Sequence, residues 1–145
     1  MSPDGGGALG RYSELVAGIL SILIESGLKR LSLSSEDLWE THPSLASNPN
    51  DFDSMFVDTL TWLRDEGYVR FESFVGGTNG ETCVAGLAPT ALCLQLLEQR
   101  IPALDNKSGR VIIEEARSSD TPAAAYVRAG SLLGGLMGGF TKAIS

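Results

Sequence analysis

The chain has 145 residues, of which 43% are apolar and 20% charged, with a formal net charge of −7. That length is one ordinary domain with room for an appendage, and that apolar content is globular rather than disordered. The surplus of carboxylates works against nonspecific attraction to nucleic acid or anionic lipid, both of which reward Lys and Arg.

Residues 1–10 are rich in glycine and carry Asp4 where a signal peptide would carry a cation, so they are expected to be a flexible N-terminus. RYSELVAGILSILIESGL (11–28) predicts a first helix. Leu15, Val16, Ile19, Leu20, Ile22 and Leu23 crowd one side, and Glu14, Gly18, Ser21 and Glu25 line the other at helical spacing. Gly27 stands where a glycine would stop it. The uninterrupted apolar stretch is too short to cross a bilayer, which needs about 20 residues.

A short extended piece, 30–33, leads into SSEDLWETH. Ser34 as N-cap with Asp37 three residues on resembles a capping box, and Glu36 adds charge to the first turn. The second helix ends before Pro43, and HPSLASNPND is a loop of turn formers. A third helix is predicted from about Phe52 to Glu66, stopped by Gly67. YVRFESFV (68–75) alternates as a strand, GGTNGET turns the chain, and CVAGLA (83–88) returns antiparallel. A helix from about Pro89 to Gln99 closes the unit.

Helix, short strand, helix, helix, hairpin, helix is an order that resembles the winged helix-turn-helix superfamily over about residues 11–101. The segment MFVDTLTWLRDEGYVRF, followed by a hairpin and a helix opened by Pro and Thr, carries the likeness. The expected fold class is mainly α with a small antiparallel β-hairpin: a winged-helix domain (11–101), a polar linker (102–121) and a C-terminal glycine-rich helix (122–145). The linker is polar except for Val111 to Ile113, which fit helix and strand equally. Thr121 and Pro122 are a good start signal for the last helix.

The resemblance implies DNA binding, with the third helix in the major groove and the wing on the backbone. The residues argue against it. Phe52, Met55, Phe56, Thr59, Leu60 and Leu63 take the inward face of that helix, which leaves Ser54, Asp58, Thr61 and Asp65 outward. Residues 34–66 hold eight acidic residues and one basic residue, Arg64, and the wing tip has Glu81 and no cation. Phosphate contacts call for donors, cationic ones above all.

Nothing else reads as catalysis. His42, the only histidine, has no partner at a metal-ligand spacing and reads as an exposed loop residue or a helix C-cap. GGTNGET lacks the Lys-Ser/Thr ending of a phosphate loop. Glu114 and Glu115 would point apart on a strand. Cys83 and Cys93 form no disulfide framework and read as packing side chains in a reducing cytoplasm. Trp62 sits at the edge of the buried stripe, whereas Trp39 fits a core position or an interface anchor equally. No catalytic residue, metal or cofactor is therefore expected.

The C-terminal segment AGSLLGGLMGGF (129–140) has five glycines and no charge. Gly130, Gly134 and Gly138 form a smooth face that Gly135 and Gly139 widen, and Leu132, Leu133, Leu136, Met137 and Phe140 form a bulky one opposite. A helix apolar all round needs cover, and each glycine costs about 1 kcal/mol relative to alanine. Its own domain, another copy or a membrane could supply that cover; only thirteen uncharged residues, 129–141, lie between Arg128 and Lys142, too few to span. The favoured expectation is a cytoplasmic, non-enzymatic interaction or regulatory module that binds a protein partner or itself through this helix. A DNA-binding regulator is the alternative, and a membrane-associated protein ranks third.

Overall fold

A mostly helical chain closes around a small antiparallel sheet. The structure, a computed structural model, describes residues 8–42, 45–46, 48–77 and 80–137. In chain order the elements are α1 (Ala8–Ser26), β1 (Leu31–Ser34), α2 (Ser35–Thr41), α3 (Pro49–Asp65), β2 (Val69–Arg70), β3 (Ser73–Gly76), β4 (Thr82–Pro89), α4 (Ala91–Glu98), β5 (Arg100–Ile101), β6 (Lys107–Ser108), α5 (Gly109–Arg117) and α6 (Pro122–Met137).

Local chemistry sets most of the boundaries. Gly27, at φ +63°, ends α1 in a conformation that other L-residues resist. Ser34 caps α2 by accepting a hydrogen bond from the Asp37 amide, as the capping pattern predicts. The third helix starts three residues earlier than expected. Asn48 accepts from the Asp51 amide, and Pro49 occupies a first-turn position where its missing N–H costs nothing. The two residues that looked like loop formers are thus the helix start.

β4 is the central strand, pairing with β1 along one edge and with β2 and β3 along the other. The single strand expected over 68–75 is interrupted at Phe71 and Glu72. Opposite the break, Gly86 has φ +76°, and a Cβ there would meet the Glu72 carboxylate at 3.0 Å. The core gathers Leu15, Ile19 and Leu20 of α1, Phe52, Phe56, Leu60 and Leu63 of α3, and Val84 and Leu87 of β4.

The segment expected as a polar linker, 102–121, contains α5. Ser108 caps it by accepting from the Val111 amide, and Ile113 is fully buried with Ala116 close behind. Helical spacing turns these two inward while Arg110, Glu114 and Glu115 meet solvent or one another, which settles the ambiguity of Val111–Ile113 in favour of helix. α6 lies against α5 and, most extensively, against α1. Residues 1–7 and 138–145 lie outside the described residues, as do Gly138 and Phe140 of the expected tail interface.

Candidate functional site

Three surfaces carry the residues singled out by the sequence. The first is the outer face of α3. Its inward stripe is buried as its spacing requires, and Ser54, Asp58 and Asp65 are exposed with Thr61 half-buried. Arg64, the cation of this helix, lies over the Phe71 ring at 4.8 Å, with its Nε 3.7 Å from Asp65. Aromatic and carboxylate neighbours thus lie beside the one cation of this helix, while Lys29, Arg30 and Arg70 are exposed on other segments.

Carboxylates gather at the N-terminal end of the same helix. Asp53 accepts hydrogen bonds from Ser35 Oγ at 2.5 Å, the Thr82 amide at 2.8 Å and Thr82 Oγ1 at 2.5 Å. Burial pushes its pKa up, but the hydrogen bonds from Ser35 and Thr82 outweigh that and hold the carboxyl below its ordinary value. This residue ties α3 to the start of α2 and to β4. Beside it Trp39 and Phe52 wall a cavity of about 150 Å³ with Glu36 and Glu81. The acidity extends to β4, where the Cys83 thiol is pushed up by burial and then by Glu81, Asp37, Asp53 and Glu36. Trp39 and Trp62 are both half-buried.

The second surface is the inner side of α1. Its polar line turns inward at Glu14, Gly18 and Ser21, where α6, α5 and the end of α2 cover it, while Glu25 stays exposed. His42 is the C-cap of α2, as one reading allowed, but it is buried rather than exposed. Its Nδ1 meets Glu14 Oε2 at 2.8 Å, and Nε2 faces Gly18, where a Cβ would stand 2.9 Å away. Further along, Arg117 donates to the Ser21 carbonyl at 3.0 Å and to Ser21 Oγ at 2.7 and 2.9 Å. Arg117 Nη1 also lies 3.8 Å from Glu25, and the Tyr126 ring packs on His42 at 5.3 Å. The signal was present in the spacing of residues 14, 18, 21 and 25; the distant partners were not.

The third surface is α6. Gly130 rests on the backbone of Ser13, and a Cβ there would overlap the Ser13 carbonyl oxygen. Gly130, Leu133, Gly134 and Met137 are buried within the chain, and Ser131 donates to Ser13 Oγ at 3.1 Å. Gly130 and Gly134 of the smooth face are therefore covered within the same chain, Gly130 by α1, and Leu133 and Met137, expected on a separate bulky face, are buried with them. Leu132 and Leu136 remain 39% and 38% exposed.

Among the described residues, no group of three or more His, Cys, Asp and Glu side chains could hold a metal ion, and no helix is long and apolar enough to cross a membrane. Burial pushes the Cys93 thiol up to about 12, the opposite of what a nucleophile needs. Comparison with protein-family models, with curated proteins and with solved structures found no match to this chain.

Proposed function

We propose that this chain is a non-enzymatic interaction or regulatory module of winged-helix architecture, and that the outer face of α3 meets a protein partner rather than DNA. The order α1, β1, α2, α3, hairpin supports the architecture. The observation that carries the function is the face itself: Ser54, Asp58, Thr61 and Asp65 point outward, and Arg64 lies over Phe71 and beside Asp65. A polyanion approaching this face meets carboxylates where it needs cations, whereas a partner with Lys or Arg residues gains from them.

Fluorescence anisotropy with a labelled random-sequence duplex at low salt tests the reading. No saturable binding is expected. Binding that saturates and weakens as salt rises would return the DNA-binding reading.

Self-association through the C-terminal helix is a second reading, favoured by exposed Leu136 beside Gly135, where an added Cβ meets nothing within 4 Å. Sedimentation velocity of the full chain and of Leu136→Glu tests it. A concentration-dependent dimer weakened by the substitution supports it, and a monomer at every concentration removes it.

A further inference from the structure

Where α5 and α6 face each other, both helices present alanines: Ala116 from α5, Ala125 and Ala129 from α6. Short side chains on opposed helices leave a groove of about 290 Å³ between them. Ligand pockets range from about 300 to 1,000 Å³, so an occupant has to be small. Ile112 and Leu132 extend the apolar walls. These side chains offer no hydrogen bonds, so water filling the groove is poorly satisfied and an aliphatic group is the better occupant.

The rim is different. Lys107 and Arg128 stand there with one carboxylate, Glu115. Lys107 Nζ lies 3.0 Å from Glu115, which accounts for that carboxylate. Among the described residues no ion pair engages Arg128. In a chain with a net charge of −7, a rim with two cations against one anion is a local reversal of sign, and it selects the opposite charge in an occupant.

We propose that this groove binds a small anionic amphiphile: a medium-length aliphatic chain ending in a carboxylate. The chain lies along Ile112 and Leu132, with the buried Ala116, Ala125 and Ala129 beneath it as the floor, and the carboxylate pairs with Arg128. Guanidinium and carboxylate match in planar geometry, so this contact supplies orientation as well as attraction. The site is separate from the α3 face, and neither proposal depends on the other.

Decanoate, kept below its micelle concentration, is the probe, with decanol as its uncharged counterpart. Binding is read by calorimetry and by the methyl signals of Ala125 and Ala129. Decanoate is expected to saturate one site per chain and to bind about tenfold more tightly than decanol, the effect of one charge-assisted contact. Arg128→Glu is expected to weaken decanoate by about tenfold or more, on the same grounds. Leu132→Gln, at a position exposed enough to spare the core, weakens decanoate and decanol alike. Arg11→Glu, an exposed charge reversal on α1, leaves binding unchanged.

Absence of saturation overturns the proposal. So does equal binding of decanoate and decanol, or equal effects of Arg128→Glu and Arg11→Glu. A second copy seated in the groove also overturns it, and is recognised by a dimer whose Ala125 and Ala129 methyl signals ignore decanoate.

Discussion

Glu14 and His42, 28 positions apart in sequence, meet through a 2.8 Å contact between Oε2 and Nδ1, with 6% and 8% of their side chains exposed. This pair fastens the end of α2 to the inner side of α1. Loss of one partner strands the other in the interior, which typically costs about 3–5 kcal/mol when a charge is left behind. Glu14→Leu and His42→Leu are each expected to lower the unfolding free energy by about 3 kcal/mol in urea titrations. The double substitution costs clearly less than the sum of the two, because each single change has already removed the shared contact. Simple additivity would show that the two side chains do not act together.

Asp53 makes stability depend on acid. Its folded pKa lies below the ordinary value of 3.8, through the hydrogen bonds from Ser35 and Thr82. A depressed carboxyl contributes stability above its unfolded pKa and loses it as pH falls through the folded one. Stability measured from pH 5 down to pH 2 is therefore expected to fall more steeply in the native chain than in Asp53→Asn. Parallel curves would mean that the Ser35 and Thr82 contacts do not favour the ionised form.

Cys93 is expected to be inert in the folded protein. Burial pushes its thiol up to about 12, so almost no thiolate exists at pH 8. Iodoacetamide at that pH should label Cys93 only as fast as the whole chain unfolds, and a denaturant that speeds unfolding speeds labelling equally. Cys83, half-buried near the edge of the acidic patch, is expected to react first. Rapid labelling of Cys93 under native conditions would contradict the packing of α4.

The inward stripe of α3 was readable because six apolar or small side chains recur at helical spacing, and all six are buried. The same wheel left Ser54, Asp58, Thr61 and Asp65 outward, so that candidate surface was legible too. The polar line on α1 was legible as a line, but its direction was not. Glu14 and Ser21 are buried because His42, Arg117 and Tyr126 come to meet them from 28 to 105 residues away. No local pattern encodes that. The groove was invisible for the same reason: Ala116 on one helix says nothing about Ala125 and Ala129 until the helices face each other. Gly130 and Gly135 show the limit most clearly, since the wheel placed both on one widened glycine face although one is pressed against a backbone and the other is open.

Those two glycines also give the most direct measurement, because the α5–α6 groove and the exposed Leu132 and Leu136 depend on α6 being held against α1. The substitution is the same at both positions and only the surroundings differ. Gly135→Ala adds a methyl to open space in a helix and is expected to raise the unfolding free energy by about 0.5–1 kcal/mol. Gly130→Ala drives a methyl into the Ser13 carbonyl and is expected to lower it by about 1–3 kcal/mol, despite the same gain in helix propensity. Opposite signs in urea unfolding of the full chain are the predicted result; stabilisation by both substitutions would contradict the docking of α6 on α1.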